Sequence, residues 1–155
     1  MDKAFIECLD ILKVSRDNYL KFLEPFDLEA LNTIPPNFNN NIAWNFGHVI
    51  VTQQLLCYKL ANLPMYIDDT LVNKYRKGTK PEEKINEEEL EMLKSLSTSL
   101  VDKFQQDLEK EIFSNYISYR TSFNVELTNI LQATIFNNLH EGMHLGTCLA
   151  LKKFL

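Results

Sequence analysis

Apolar residues recur along most of the chain at intervals of three or four positions, the spacing of residues on one face of an α-helix. The first such segment predicts a helix over residues 2 to about 23. Pro25 disfavours its continuation, because a proline restricts the residue before it and cannot continue the helical hydrogen bonds. A second helix is predicted from about 41 to 61, with an asparagine at position 40 or 41 as its N-cap and Pro64 beyond its end.

The second half of the chain contains two further helical segments. One is predicted from about 86 to 111 and opens with glutamates 87–89, whose charges suit the positive end of a helix dipole. The last is predicted from about 124 to 154. Between these two, residues 112–123 alternate weakly and indicate a short extended piece, and residues 65–84 read as a long connection without periodicity.

Four long helices in one chain of 155 residues predict an all-α fold, a four-helix bundle. The length suits a single domain spanning residues 1–155, and no internal repeat or low-complexity tract divides it. The long connection between the second and third helices permits a crossover rather than a tight antiparallel turn.

Composition and charge exclude several classes of protein. Hydrophobic residues make up 45%, which is typical of a folded domain, and the net charge is −5 with no long basic stretch, which argues against nucleic acid as a partner. No apolar run approaches the roughly 18 residues of a membrane span, and the first residues resemble no export signal. Three scattered cysteines (Cys8, Cys57 and Cys148) indicate reduced thiols in a cytoplasmic protein.

All three histidines of the chain stand at positions that suit one metal ion. His140 and His144 are four residues apart in the last predicted helix, so they project from one face. His48 lies in the second predicted helix. Three imidazole nitrogens from two facing helices would leave coordination positions open, which is typical of a catalytic or substrate-binding metal.

Residues near the histidines in sequence could either support the metal site or have an ordinary structural role. Asn45 and Thr52 share a helix face with His48 and could orient its ring, as Asn137 could for His140, although asparagines also cap helices or face solvent. Cys148, four residues after His144, is either a fourth ligand or, more commonly for such a cysteine, a small buried hydrophobe. Trp44, four residues before His48, would either form a wall of the site or pack in the core.

Residues 140–144 also match the H-E-x-x-H pattern of zinc peptidases, in which the glutamate is the general base. Eleven residues follow His144, too few to supply the downstream ligand of such enzymes, and the chain predicts no sheet for an extended peptide. Glu141 nevertheless follows a predicted ligand directly. It is the candidate catalytic residue, able to orient or deprotonate a water on the metal, unless it is a solvated helix glutamate.

Two segments resemble the DinB-like superfamily of metal-dependent proteins: residues 40–48, ending in Trp44-x-x-x-His48, and residues 140–146, reading H-x-x-x-H-x-G. In that family the first segment gives one metal ligand and the second gives two, which match His48, His140 and His144. The order, spacing and length agree over nearly the whole chain. Thr147 departs from the pattern, since relatives commonly have glutamine there.

The resemblance implies a four-helix bundle of up-down-down-up topology with a three-histidine site for a divalent metal, most often Zn²⁺ or Ni²⁺. It also implies a homodimer and a small-molecule substrate. Characterised relatives include transferases and isomerases that use low-molecular-weight thiols such as bacillithiol or mycothiol, whereas many members have no assigned activity.

We therefore expect a cytoplasmic, metal-dependent transferase or hydrolase that acts with a low-molecular-weight thiol on a small molecule. One alternative is a bundle that binds a metal or ligand without catalysis. Another is a metal-free helical interaction protein whose histidines only pack.

Overall fold

A computed structural model describes residues 2–155 of the chain. Most of these residues are helical, which confirms the prediction of an all-α fold. The α-helices of this part of the chain are α1 (Lys3–Leu23), α2 (Leu28–Asn32), α3 (Ile42–Cys57), α4 (Asp69–Tyr75), α5 (Glu87–Glu109) and α6 (Ile130–Leu151). Short 3-10 helices follow α3 (Lys59–Ala61) and α6 (Lys152–Phe154), and a small antiparallel ladder joins β1 (Tyr119–Arg120) to β2 (Glu126–Leu127).

Each α-helix begins where an asparagine or aspartate side chain accepts a hydrogen bond from a backbone N–H of the first turn. This satisfies one of the amide groups that a helix start leaves without a partner. The capping residues are Asp2, Asp27, Asn41, Asp68, Asn86 and Asn129. The predicted starts of α1, α3 and α5 agree with these caps to within a residue.

The main differences from the predictions are two helix boundaries and two short helices that were not predicted. The last helix begins at Ile130 rather than near residue 124, because the chain before Asn129 forms the β1–β2 hairpin. The predicted connection over residues 65–84 contains α4, and α2 was not predicted at all, since helices this short show little periodicity. The helix α3 ends at Cys57, and only the 3-10 turn reaches the predicted end at Ala61.

The long helices α1 and α3 both pack against α5 and α6. Contacts between α1 and α6 advance in the same direction along both helices, from Cys8–Asn138 to Arg16–Glu141. Contacts between α3 and α6 run in opposite directions, because Asn45 meets His144 and His48 meets His140. The two helices that carry the histidines are therefore antiparallel neighbours.

The core surrounds α3 almost completely. Every residue of α3 is buried except Thr52 and Leu55. Both of these line a cavity that also exposes the histidines. The one face of α3 that the core leaves open is therefore the face beside the candidate site.

None of the helices in the described part of the chain combines the length and apolarity that crossing a membrane would require.

Candidate metal centre

The three histidines that the sequence singles out converge between α3 and α6. One nitrogen of each ring lies within 4.8 Å of a nitrogen of the other two. The closest pair is His48 Nε2 and His140 Nε2, 3.2 Å apart. Since α3 and α6 are antiparallel neighbours, the one-turn separation of His140 and His144 places both rings opposite His48. A group of this kind could hold a metal ion.

Two of the three rings are held by hydrogen bonds on the side away from the cluster. His48 Nδ1 lies 2.6 Å from the backbone carbonyl oxygen of Tyr75, and His144 Nδ1 lies 2.7 Å from Asn45 Oδ1. Both partners are acceptors, so Nδ1 carries the proton in each ring and donates it. The Nε2 atoms of His48 and His144 therefore keep their lone pairs free, as in the metal–histidine–carbonyl arrangements of metalloproteins.

The orientation of the Asn45 side chain follows from its other contacts. Its Nδ2 donates to the backbone carbonyl of Asn41 at 2.7 Å and to Asn40 Oδ1 at 3.0 Å. The amide nitrogen is thereby engaged with oxygens, which leaves the amide oxygen as the group that faces His144. The sequence predicted that Asn45 would orient a histidine, but the histidine that it contacts is His144 rather than His48.

His140 is the ring of the cluster that lacks an outer hydrogen bond. Its Nδ1 is buried without a hydrogen-bond partner among the described residues, and its Nε2 faces the lone pair of His48 Nε2. Two imidazole nitrogens this close need a proton or a cation between them, because two lone pairs repel. Neutral nitrogen donors on two helices suit divalent ions such as Zn²⁺ and Ni²⁺.

The environment also keeps the rings uncharged. Burial lowers the pKa of His140 to about 3, with further lowering by the neighbouring His144 and His48. Burial and proximity to His48 lower the pKa of His144 to about 4. Burial lowers the pKa of His48 as well, although its hydrogen bond to the Tyr75 carbonyl opposes that shift. Neutral imidazole is the form that binds a metal.

Gly47 explains how α4 reaches His48. A Cβ atom at position 47 would lie 2.5 Å from the ring of Tyr75, well inside contact distance. Tyr75 is buried, and its hydroxyl donates to Glu89 Oε1 at 2.6 Å. Only the missing side chain allows the end of α4 to pack on α3 with the Tyr75 carbonyl oxygen at His48 Nδ1.

Trp44 forms a wall of the site and also belongs to the core. Its ring stacks on His48 with centroids 4.6 Å apart and an interplanar angle of 11°. Its Nε1 donates to Thr79 Oγ1 at 3.2 Å, which ties the loop after α4 to α3. Thr52, one turn beyond His48, places its hydroxyl oxygen 3.4 Å from His48 Nε2. Both residues were predicted from their spacing to lie near His48.

A cavity of about 480 Å³ opens beside the cluster and is lined by all three histidines. This is within the usual range for a small-molecule site. Its walls are mostly apolar and include Leu55, Leu60, Phe136 and Met143. The β1–β2 hairpin supplies part of the rim through residues 121–123, a position that no sequence pattern predicts.

The Glu141 carboxylate is turned toward α1 and does not line the cavity. It is fully buried and accepts hydrogen bonds from Arg16 Nε at 2.9 Å and Arg16 Nη2 at 2.8 Å. Ser15 and Asn137 donate to it as well. The solvated-glutamate interpretation is therefore wrong, and the catalytic role stays a prediction that none of these contacts supports.

Cys148 and Asn137 also lie outside the histidine cluster. Cys148 is fully buried among core residues such as Leu151, and burial raises the pKa of its thiol to about 12. It acts as a small hydrophobe here and belongs to no metal-binding group among residues 2–155. Asn137 donates to Glu141 rather than to His140, contrary to the expectation from its spacing.

The sequence matches the profile of the DinB superfamily over residues 11–148. The chain belongs to the DinB superfamily. The match includes all three histidines, as well as Arg16 and Glu141.

A solved structure has a similar fold. The crystal structure of a conserved protein from Enterococcus faecalis aligns with a TM-score of 0.67 and 14% identity, over 99% of this chain and 97% of that one. At this identity the similarity concerns the fold alone. The comparison with curated proteins gives no match for this DinB-superfamily chain.

Proposed function

We propose that this chain is a metal-dependent enzyme in which His48, His140 and His144 hold a divalent cation, Zn²⁺ or Ni²⁺. The observation that carries the proposal is the pair of outward hydrogen bonds to the Tyr75 and Asn45 oxygens, which direct the Nε2 lone pairs of His48 and His144 inward. A packing role for the histidines would not require one buried ring and one half-buried ring whose Nε2 lone pairs face a cavity. Three protein ligands would leave positions open for a substrate.

The proposed reaction is a transfer or hydrolysis that uses a low-molecular-weight thiol and acts on a small molecule. A divalent cation at the histidines would supply positive charge that stabilises an anionic sulfur or oxygen near neutral pH. Trp44 and the apolar walls would exclude water from the reacting groups. The Thr52 hydroxyl, beside His48 Nε2, is placed to donate a hydrogen bond to an anionic ligand.

We assign no proton transfer to Glu141. Both of its oxygens are engaged by donors on the α1 side of α6, and Arg16 is 1% exposed. A base would need to reach the cavity to take a proton from a substrate. In this proposal Glu141 and Arg16 hold α1 against α6.

We also infer that α1, α3, α5 and α6 form a four-helix bundle of up-down-down-up topology. The parallel contacts of α1 with α6 and the antiparallel contacts of α3 with α6 support this order. Tyr58, just after α3, bonds Asp107 near the end of α5, which supports a parallel course for α3 and α5. The connection between them, with α4, would then be the crossover.

Elemental analysis of untagged protein tests the metal part of the proposal. About one metal per chain is expected in the unaltered protein, and none in the His140→Ala/His144→Ala variant, because two of three ligands are gone. The absence of metal from both, after reconstitution with Zn²⁺ or Ni²⁺, would favour a metal-free interaction protein.

The enzymatic part needs a separate test. Loss of free thiol in the presence of small electrophiles should be faster with metal-loaded protein than with the metal-free form. The cavity contains no carboxylate and no cysteine among its lining residues. That observation favours, as a second candidate, a bundle that binds metal or ligand without catalysis. Stoichiometric metal without turnover over a panel of thiols and electrophiles would support it.

A further inference from the structure

The cavity beside the histidines differs in charge from the rest of the chain. Acidic residues outnumber basic ones in the sequence, 21 against 16. The cavity lining contains no aspartate or glutamate, and its two charged residues are Lys59 and Lys77. With neutral histidines, the cavity is therefore cationic within an acidic protein.

Neither lysine has a partner that would explain its position. Lys59 lies in the 3-10 turn after α3, and Lys77 lies in the loop after α4, and both are exposed. Within residues 2–155 no ion pair or side-chain hydrogen bond involves either ammonium group, whereas Lys74, near by in sequence, pairs with Glu89 at 2.6 Å. Both ammonium groups are thus free to meet a ligand at the cavity mouth.

The two lysines lie at different distances from the histidines. Lys77 follows Tyr75 by two residues, and the Tyr75 carbonyl oxygen contacts His48. Lys77 therefore lies at the end of the cavity that contains the histidines. Lys59 is eleven positions after His48. At about 1.5 Å per helical residue, this places its backbone roughly 16 Å further along the axis.

Beyond the Thr52 hydroxyl, the α3 side of the cavity between the histidines and Lys59 is apolar. Leu55 and Leu56 of α3 and Leu60 of the 3-10 turn line it on one side. Phe136 of α6, which precedes His140 by one turn, lines it as well, since α6 runs antiparallel to α3. A ligand that reaches from the histidines to Lys59 therefore passes an apolar surface, and the flexible lysine stem can shorten the distance.

We propose that the cavity takes a small amphipathic anion, with its anionic group paired to Lys59, its apolar body along the leucines of α3, and its other end at the histidines. The last part rests on the proposed function, whereas the anion preference does not. Lys77 adds a second positive charge that disfavours cationic ligands. The same chemistry covers a carboxylate, a sulfonate or a phosphate monoester.

Trp44 provides a direct measurement, because it is the one tryptophan of the chain and it lines the cavity. Its fluorescence is titrated with octanoate, octanamide and octylamine, which differ in charge but hardly in size. The protein is first made metal-free with EDTA, so that a carboxylate preference cannot come from a cation at the histidines. This also separates the present proposal from the proposed function, since an inactive protein that binds no metal could still prefer the anion.

Octanoate should bind about two- to fivefold more tightly than octanamide, the range expected for one exposed ion pair, and octylamine more weakly than both. High salt should remove the preference by screening. Affinity should rise about three- to fourfold for each added methylene of the carboxylate until the cavity is filled. Equal affinity for octanoate and octanamide would overturn the proposal.

Substitutions of the two lysines test whether they cause the preference for the anion. Lys59→Gln/Lys77→Gln should bind octanoate and octanamide equally, while Lys80→Gln/Lys84→Gln removes the same charge from exposed lysines outside the cavity and should keep the preference. An equal loss of the octanoate preference in both double variants would show a general effect of net charge and would reject the proposed site. Of the single variants, Lys59→Gln should have the larger effect. An effect confined to Lys77→Gln would overturn the assignment to Lys59.

Discussion

Arg16 of α1 and Glu141 of α6 form an ion pair in which both side chains are almost inaccessible to solvent, with Nη2 and Oε1 2.8 Å apart. The guanidinium also donates to the backbone carbonyl of Val49 at 3.3 Å, next to the ligand candidate His48. Glu141 in turn is the neighbour of His140. The pair therefore links the two helices that carry the histidines from the side that faces α1.

The first prediction concerns the stability of this pair. Arg16→Met should lower the free energy of unfolding by about 3–5 kcal/mol, because it leaves a buried carboxylate without its counter-charge. The double variant Arg16→Met/Glu141→Leu should recover much of that loss, since no buried charge remains. Denaturant unfolding of both variants measures the difference. A double variant as unstable as Arg16→Met would contradict the importance of charge here.

The second prediction separates a structural Glu141 from a catalytic one. Glu141→Gln should be less stable than the unaltered protein but, when folded, should bind metal in the same ratio and retain the activity of the metal-loaded form. The reason is that the carboxylate does not face the cavity. Metal content and turnover are measured well below the unfolding transition. A loss of turnover of about 100-fold or more, with metal retained, would restore the general-base interpretation.

The third prediction concerns Asn45, whose oxygen holds the ring of His144. Asn45→Ala should weaken metal binding about 10- to 100-fold while leaving the stoichiometry at saturation unchanged, as removal of such outer partners usually does. Competition with a chromogenic chelator gives the affinity. The matched control is Asn73→Ala, because Asn73 is an exposed residue of α4 whose side chain makes no hydrogen bond within residues 2–155. Unchanged affinity in Asn45→Ala would mean that His144 needs no fixed orientation.

The fourth prediction compares two glycines. Gly47→Ala should lower stability by about 1–3 kcal/mol through overpacking against Tyr75 and should weaken metal binding, because Tyr75 cannot move without taking its carbonyl from His48. Gly142→Ala, with open space around its Cβ, should instead gain about 0.5–1 kcal/mol from helix propensity. Thermal unfolding and metal titration of both variants provide the check. Tolerance of Gly47→Ala would contradict the close packing of α4 on α3.

Local sequence determined the parts of this protein that depend on neighbouring residues. Apolar spacing located the long helices, an asparagine at position 40 or 41 marked the start of α3, and glutamates 87–89 marked that of α5, since caps and helix-dipole charges act within one turn. The i,i+4 spacing of His140 and His144 placed both rings on one face of α6. His48 has the same metal-binding imidazole as that pair, which was enough to suggest a common site.

Tertiary structure alone decided what holds and surrounds the cluster. The partner of Glu141 is 125 positions away at Arg16, and the acceptor for His48 is a backbone carbonyl 27 positions away, which no side-chain pattern reports. The lysines and the hairpin reach the cavity through loops and short elements that have no helical periodicity. Periodicity describes which face a residue occupies on its own helix, whereas the contacts of that face depend on how the helices pack, and packing is a property of the whole chain.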